Sequence, residues 1–163
     1  MPHVPLSLDS LNVENAEKLL DHLRLAPDDK FDMGKWLGHN GTATDRIGDV
    51  IGCEMEHIYE FGCGTSACLA GHAVAVAAHD GWRYGTRVAY AARDWLGLSG
   101  ADADLLFYGN WNQFIPMTMA QEMMEGYEED EDELWITSSP LMTRANAIRV
   151  LEYVIGFYKR THP

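Results

Sequence analysis

Phe61-Gly62-Cys63-Gly64-Thr65-Ser66-Ala67-Cys68-Leu69-Ala70-Gly71-His72-Ala73, continued by Val74-Ala75-Val76-Ala77-Ala78-His79, is the stretch on which the fold turns. From Ala67 to Ala78 only Cys68, Gly71 and His72 interrupt aliphatic residues. A glycine-flanked turn at Cys63, a capping hydroxyl from Thr65 or Ser66 and a stop at Asp80-Gly81 predict a helix over 67–79. Ala67, Ala70, Gly71, Ala73, Ala75, Ala77 and Ala78 keep that helix slim on every side. Neighbours can then approach closely, so the helix is expected to be surrounded. It is far shorter than the ~20 apolar residues that a bilayer span requires.

Working outward, helical signals dominate. Asn12 as N-cap, Glu14 and Glu17 in the early turns and the stripe Leu19, Leu20, Leu23 predict a helix over 13–25, stopped by Ala26-Pro27. Phe31 to Leu37 reads as a short helical turn pinning a loop to the core. Residues 38–64 hold six glycines and no consistent period, and a short strand fits around Glu56–Phe61. Thr86 caps a predicted helix over 87–96, with Gly97 as a left-handed terminator. Ser99 and Asp102 form a capping-box pattern opening a helix through Phe107. Tyr108 to Pro116 reads as a loop, and a helix begins near Met117 and runs into the acidic segment. Ser139-Pro140 opens a last helix reaching Lys159, with Leu141, Ala145, Ile148, Leu151, Ile155 and Tyr158 on its inner face. The expectation is a mainly α protein: residues 1–163 form a single compact domain of five to seven helices around the central one.

The 163 residues carry 25 Asp plus Glu against 12 Lys plus Arg, a formal charge of −13. Hydrophobic types reach 47 %, ordinary for a soluble globular protein. Direct binding to DNA or to anionic lipid needs clustered Lys and Arg, so neither nucleic acid nor membrane is expected as a partner. Three cysteines are too few for a disulfide scaffold. With a start, Met1-Pro2-His3-Val4-Pro5, that lacks a signal-peptide pattern, this places the protein in the reduced cytoplasm.

The cysteines and histidines near the central helix carry two chemical readings. Cys63, Cys68 and His72, with Cys53 or His57 as fourth ligand, offer the sulfur and imidazole donors that Zn²⁺ takes in tetrahedral sites. Alternatively, a Cys-Gly pair leading into a helix resembles the nucleophile region of papain-like and bacteriocin-processing peptidases. Those peptidases need a downstream histidine oriented by Asp or Asn, and His162, in the C-terminal tail, is the only histidine after His79. Against both stands packing, with Cys68 as a small buried hydrophobe and His72 as a hydrogen-bonded core histidine. We weigh packing above ligation and above thiol catalysis, so no cofactor is expected, zinc being the alternative.

Phe31-Asp32-Met33 then Trp36, Cys63-Gly64-Thr65 then Cys68-Leu69-Ala70-Gly71-His72-Ala73, Leu96-Gly97-Leu98 and Leu106-Phe107 form an ordered set of landmarks. In these the chain resembles an uncharacterised family of small bacterial and phage proteins over roughly residues 30–155. The resemblance implies a phage or mobile-element setting. That family has no established activity, so the resemblance implies no catalytic residue.

Residues 122–133 concentrate the charge: eight of the 25 acids and none of the 12 bases. The continuous block Glu128, Glu129, Asp130, Glu131, Asp132, Glu133 lacks the glycine turn and alternating oxygen ligands of a calcium loop. It reads as an exposed segment at about 125–134, either simply solvated or a lure for a basic partner surface, such as a nucleic-acid-binding groove. Met117, Met119, Met123, Met124, Tyr127 and Trp135 flank it with groups that suit an interface or a core. The reading that follows is a small acidic binding protein acting by contact with a protein partner. A metal-binding protein or thiol-dependent enzyme centred on Cys63, Cys68 and His72 is the alternative.

Overall fold

Asn12 accepts a hydrogen bond from the Asn15 backbone N–H and opens α1, Val13–Leu25, which buries Ala16, Leu19, Leu20, His22 and Leu23. The boundaries and the cap are those that the local sequence dictates. A computed structural model describes residues 5–39, 42–46, 55–62, 64–82, 87–124 and 142–163. After α1 come a 3-10 turn, Asp28–Lys30, and two short strands, β1 (Leu37–His39) and β2 (Thr42–Thr44). Then follow α2 (Met55–Tyr59), β3 (Thr65–Ala67), α3 (Leu69–His79), α4 (Val88–Leu96) and α5 (Gly100–Phe107). A second 3-10 turn, Trp111–Gln113, precedes α6 (Met117–Met123) and α7 (Arg144–Thr161). The architecture is mainly helical, with one small antiparallel sheet in the order β2-β1-β3. Among the described residues, no helix is long and apolar enough to cross a membrane.

α3 is the axis of the fold. Leu69 to Ala77 is buried without a break, and α1, α2 and α4 pack around it, with α7 against α1. That is the arrangement expected of a helix with small side chains on every face. Gly71 shows how close the approach is. A Cβ there would stand 2.0 Å from the Trp36 carbonyl oxygen and 2.7 Å from the Ala67 Cβ. The loop carrying Trp36 is held against α3 by Cys68 N–H donating to the Lys35 carbonyl (2.7 Å) and Asp32 N–H to the Ala67 carbonyl (2.9 Å). A second close approach occurs at Gly97, which ends α4 with φ +69° and faces the Ser10 carbonyl.

Several local expectations need correction. Residues 65–67 are a strand, pairing with β1 through Leu37↔Ala67, Gly38↔Ser66 and His39↔Thr65. The central helix therefore starts two residues late, with Cys68 as its N-cap. Phe31–Leu37 is not a helical turn: Phe31 bridges to Ala67 and Leu37 opens β1. Around 56–61 there is a helix rather than a strand, because Met55 and Ile58 bury at helical spacing. Ser99 caps α5 as expected, but the Asp102 carboxylate accepts from the Ser7 and Leu8 N–H groups (3.3 and 3.0 Å) instead of closing the capping box. A 3-10 turn lies inside the expected loop 108–116.

Helix α7 begins after Thr143, whose side chain accepts from the Asn146 N–H. Its inner face is Ala147, Val150, Leu151, Val154 and Ile155, whereas Ala145 is exposed. Ser139, Pro140, Leu141 and Thr86, named in the expectations, lie outside the described residues.

Candidate functional site

Cys68 and His72 are four residues apart, but only His72 is helical. Cys68 has extended backbone angles, φ −76° and ψ −177°, so the rule that i and i+4 share a helix face does not apply to it. Its sulfur accepts from the Gly71 N–H at 3.5 Å and lies 3.8 Å from the Trp36 carbonyl oxygen, to which the thiol donates. Met33 supplies a second sulfur acceptor, to the Leu69 N–H at 3.5 Å. Two sulfurs thus serve the helix end where a hydroxyl was expected. The hydroxyl of Thr65 instead donates to the Gly62 carbonyl at 2.6 Å.

Burial pushes the Cys68 thiol up to about 11, and the hydrogen bond from the Gly71 N–H only partly offsets it. A thiol in that state is almost wholly protonated at neutral pH and is a poor nucleophile and ligand. Iodoacetamide at pH 7.5 is therefore expected to leave Cys68 unmodified in the folded protein. Mass spectrometry of its peptide should show labelling only after denaturation; labelling of the native protein at the rate of a free cysteine would contradict this.

His72 lies in another environment. It is fully buried, with Nε2 2.8 Å from the Lys30 carbonyl oxygen and Nδ1 3.0 Å from Nε2 of His22. Phe31 stacks on it at 6.1 Å. His22 in turn meets Tyr59 (5.2 Å, stacked) and Phe61 (4.8 Å, tilted). Burial is the main cause that lowers both imidazoles, His22 to about 3 and His72 to about 4, so the pair is neutral at pH 7. His22 was not among the expected site residues. A signal for it existed: it falls inside the buried stripe of α1, between Leu19 and Leu23.

His57, on α2, sits with its ring against Gly62. His79, at the end of α3, pairs with Glu56 at 2.9 Å and stacks on Tyr59 at 3.8 Å. Cys53 and Cys63 lie outside the described residues. Among the described residues, no three His, Cys, Asp or Glu side chains gather as a metal site.

The acidic block Glu128–Glu133, with Tyr127 and Trp135, also lies outside the described residues. The helix leading to it, α6, packs Met123 into the core, with Met119 and Met124 half-buried, and leaves Met117 72 % exposed. Arg149 on α7 pairs with Glu122 at 2.7 Å.

A surface cleft of about 210 Å³ lies between α4, α5 and the Trp36 loop. Tyr90 and Tyr108 line it and are more than half exposed. The Arg93 guanidinium covers the Tyr90 ring at 5.1 Å, and Trp36 meets Tyr108 edge-on at 5.5 Å. The space suits a single side chain rather than a cofactor, whose pockets run to roughly 300–1,000 Å³. No protein-family model, curated protein or solved structure matches the chain.

Proposed function

We propose that the protein works by contact with a protein partner, in the phage or mobile-element setting that its sequence landmarks imply. Residues 117–135 are the contact region, and the acidic block draws a basic surface, such as a nucleic-acid-binding groove. One observation carries the reading: residues 122–133 hold eight acids and no base, while the rest of the chain has 17 acids to 12 bases. Such a local field speeds encounter with a basic surface and depends on salt. Met117 supports it as an exposed apolar group one helix away from the block. The Trp36–Tyr90–Tyr108 cleft supports contact in general, since Trp, Tyr and Arg dominate binding hot spots.

The reading centred on Cys68 and His72 draws less support. The thiol is capped, buried and protonated, and the imidazole is committed to His22 and Lys30.

A lysine- and arginine-rich peptide of about 20 residues is the probe. The full chain is expected to bind it quickly at low salt, with a rate that falls steeply as salt rises. Replacing Glu128–Glu133 by Ser and Gly should slow association and flatten the salt dependence. An unchanged on-rate at low salt would reject the proposal.

A further inference from the structure

The hydrogen bonds of the buried histidine pair fix where its protons lie. A carbonyl oxygen only accepts, so His72 carries its proton on Nε2, facing Lys30 O at 2.8 Å. A neutral imidazole has one N–H, so Nδ1 of His72 is an acceptor, and His22 must donate to it from Nε2 at 3.0 Å. Among the described residues, Nδ1 of His22 is then the one nitrogen of the pair without a hydrogen-bond partner. A proton can enter there without breaking either existing bond.

What covers His22 is the end of α2 and the turn after it. Tyr59 and Phe61 lie against its ring and are themselves half-buried, and Phe61 holds φ +57°, a conformation strained for an aromatic residue. Gly62 is tied down by the Lys30 ammonium, which donates to its carbonyl at 3.1 Å. On the other sides stand the buried face of α1 and the buried helix α3.

Among the described residues no buried counter-ion awaits a charged His22, because the one buried carboxylate, Asp102, serves the Ser7 and Leu8 N–H groups. From α2 and the turn after it, Glu56 is engaged by His79 of α3 at 2.9 Å, Glu60 is exposed, and His57 lies against Gly62. From the 3-10 turn, Asp28 is engaged by Arg144 of α7 at 2.7 Å, Asp29 is exposed, and the Lys30 ammonium is the third charge there. From α3, His72 and His79 face His22 and neither supplies a negative charge. The pair of His79 with Glu56 ties the start of α2 to the end of α3. The movable part is the far end, where the aromatic cover meets solvent.

We propose that His22 and His72 form a proton-triggered latch: a proton taken up at Nδ1 of His22 releases the Tyr59–Gly62 turn from α1 and α3. Charge on a buried imidazole costs far more than charge on a hydrated one. Opening the turn hydrates His22 while leaving the His72–Lys30 bond intact. Acid would thus uncover an aromatic and imidazole surface without unfolding the helical core.

Hydrogen exchange of the full chain, corrected for the intrinsic rate at each pH, tests the latch. The Glu60, Phe61 and Gly62 amides donate within the turn, to Glu56, Ile58 and His57 carbonyls. Their opening constant is expected to exceed that of the α7 core amides at every pH from 7.5 to 5. Below pH 6.5 it should rise by about tenfold per pH unit, the slope of one linked proton. His22→Gln keeps a donor to His72 but takes up no proton, and should abolish that slope. Coincident opening of the turn and α7, a pH-independent turn, or an unchanged slope in His22→Gln would overturn the proposal. Imidazole ¹⁵N shifts of the unmutated protein give a check that needs no variant: both rings must carry the proton on Nε2 at pH 7.5, and an Nδ1–H tautomer of His22 would also overturn it.

Discussion

Gly71→Ala is expected to destabilise the fold by about 3 kcal/mol or more, the upper range for overpacking a core. The added methyl group meets the Trp36 carbonyl oxygen at 2.0 Å and the Ala67 Cβ at 2.7 Å. Neither neighbour is the free end of a flexible side chain. Moving the Trp36 loop away would stretch two backbone hydrogen bonds, from Cys68 to Lys35 and from Asp32 to Ala67. It would also disturb the pairing of Leu37 with Ala67. Gly100→Ala provides the contrast, because a Cβ at the start of α5 has nothing within 4 Å. That change is expected to be neutral or to stabilise by up to about 1 kcal/mol. Urea unfolding of both variants checks the pair, and equal midpoints for Gly71→Ala and the unmutated protein would contradict the packing described for α3.

Acid should weaken the fold through the histidine pair. In the unfolded chain each imidazole titrates near 6.5, whereas in the fold His22 is lowered to about 3 and His72 to about 4. The unfolded state therefore binds more protons below 6.5, and stability contributed above that pH is lost as pH falls towards the folded values. Each histidine contributes a slope of up to about 1.4 kcal/mol per pH unit, so at pH 5 the two together remove about 4 kcal/mol. That is a large part of a typical stability of roughly 5–15 kcal/mol. Thermal unfolding between pH 7.5 and 5 should show a steep fall in Tm. His22→Gln should leave about half the slope. A Tm that is flat over this window would mean that the two imidazoles are not held neutral by burial.

What was legible in the sequence was local. The Asn12 cap of α1, the left-handed Gly97 after α4 and the Ser99 cap of α5 each depend on residues within a turn or two of one another. The slim composition of α3 likewise announced its burial. The start of α3 was not legible, because Thr65 and Ser66 are taken by a strand whose partner lies near residue 38. That left capping to Cys68, a sulfur that ordinary capping preferences do not favour. The same distance in sequence concealed the site. His72 was recognisable as unusual within an alanine-rich helix, but its partner His22 lies on α1, fifty residues earlier. Only packing α1 against α3 joins them. Asp102 shows this conflict again: its carboxylate serves the Ser7 and Leu8 amides rather than its own helix.

Function by surface contact and a structural role for Cys68 are tested together most directly by one variant. Cys68→Ala removes the Gly71 cap and a few buried atoms, at an expected cost of about 1–2 kcal/mol. The folded variant should bind the lysine- and arginine-rich peptide with the same on-rate and the same salt dependence as the unmutated protein. A Cys68→Ala protein that folds but no longer binds the peptide would contradict the account.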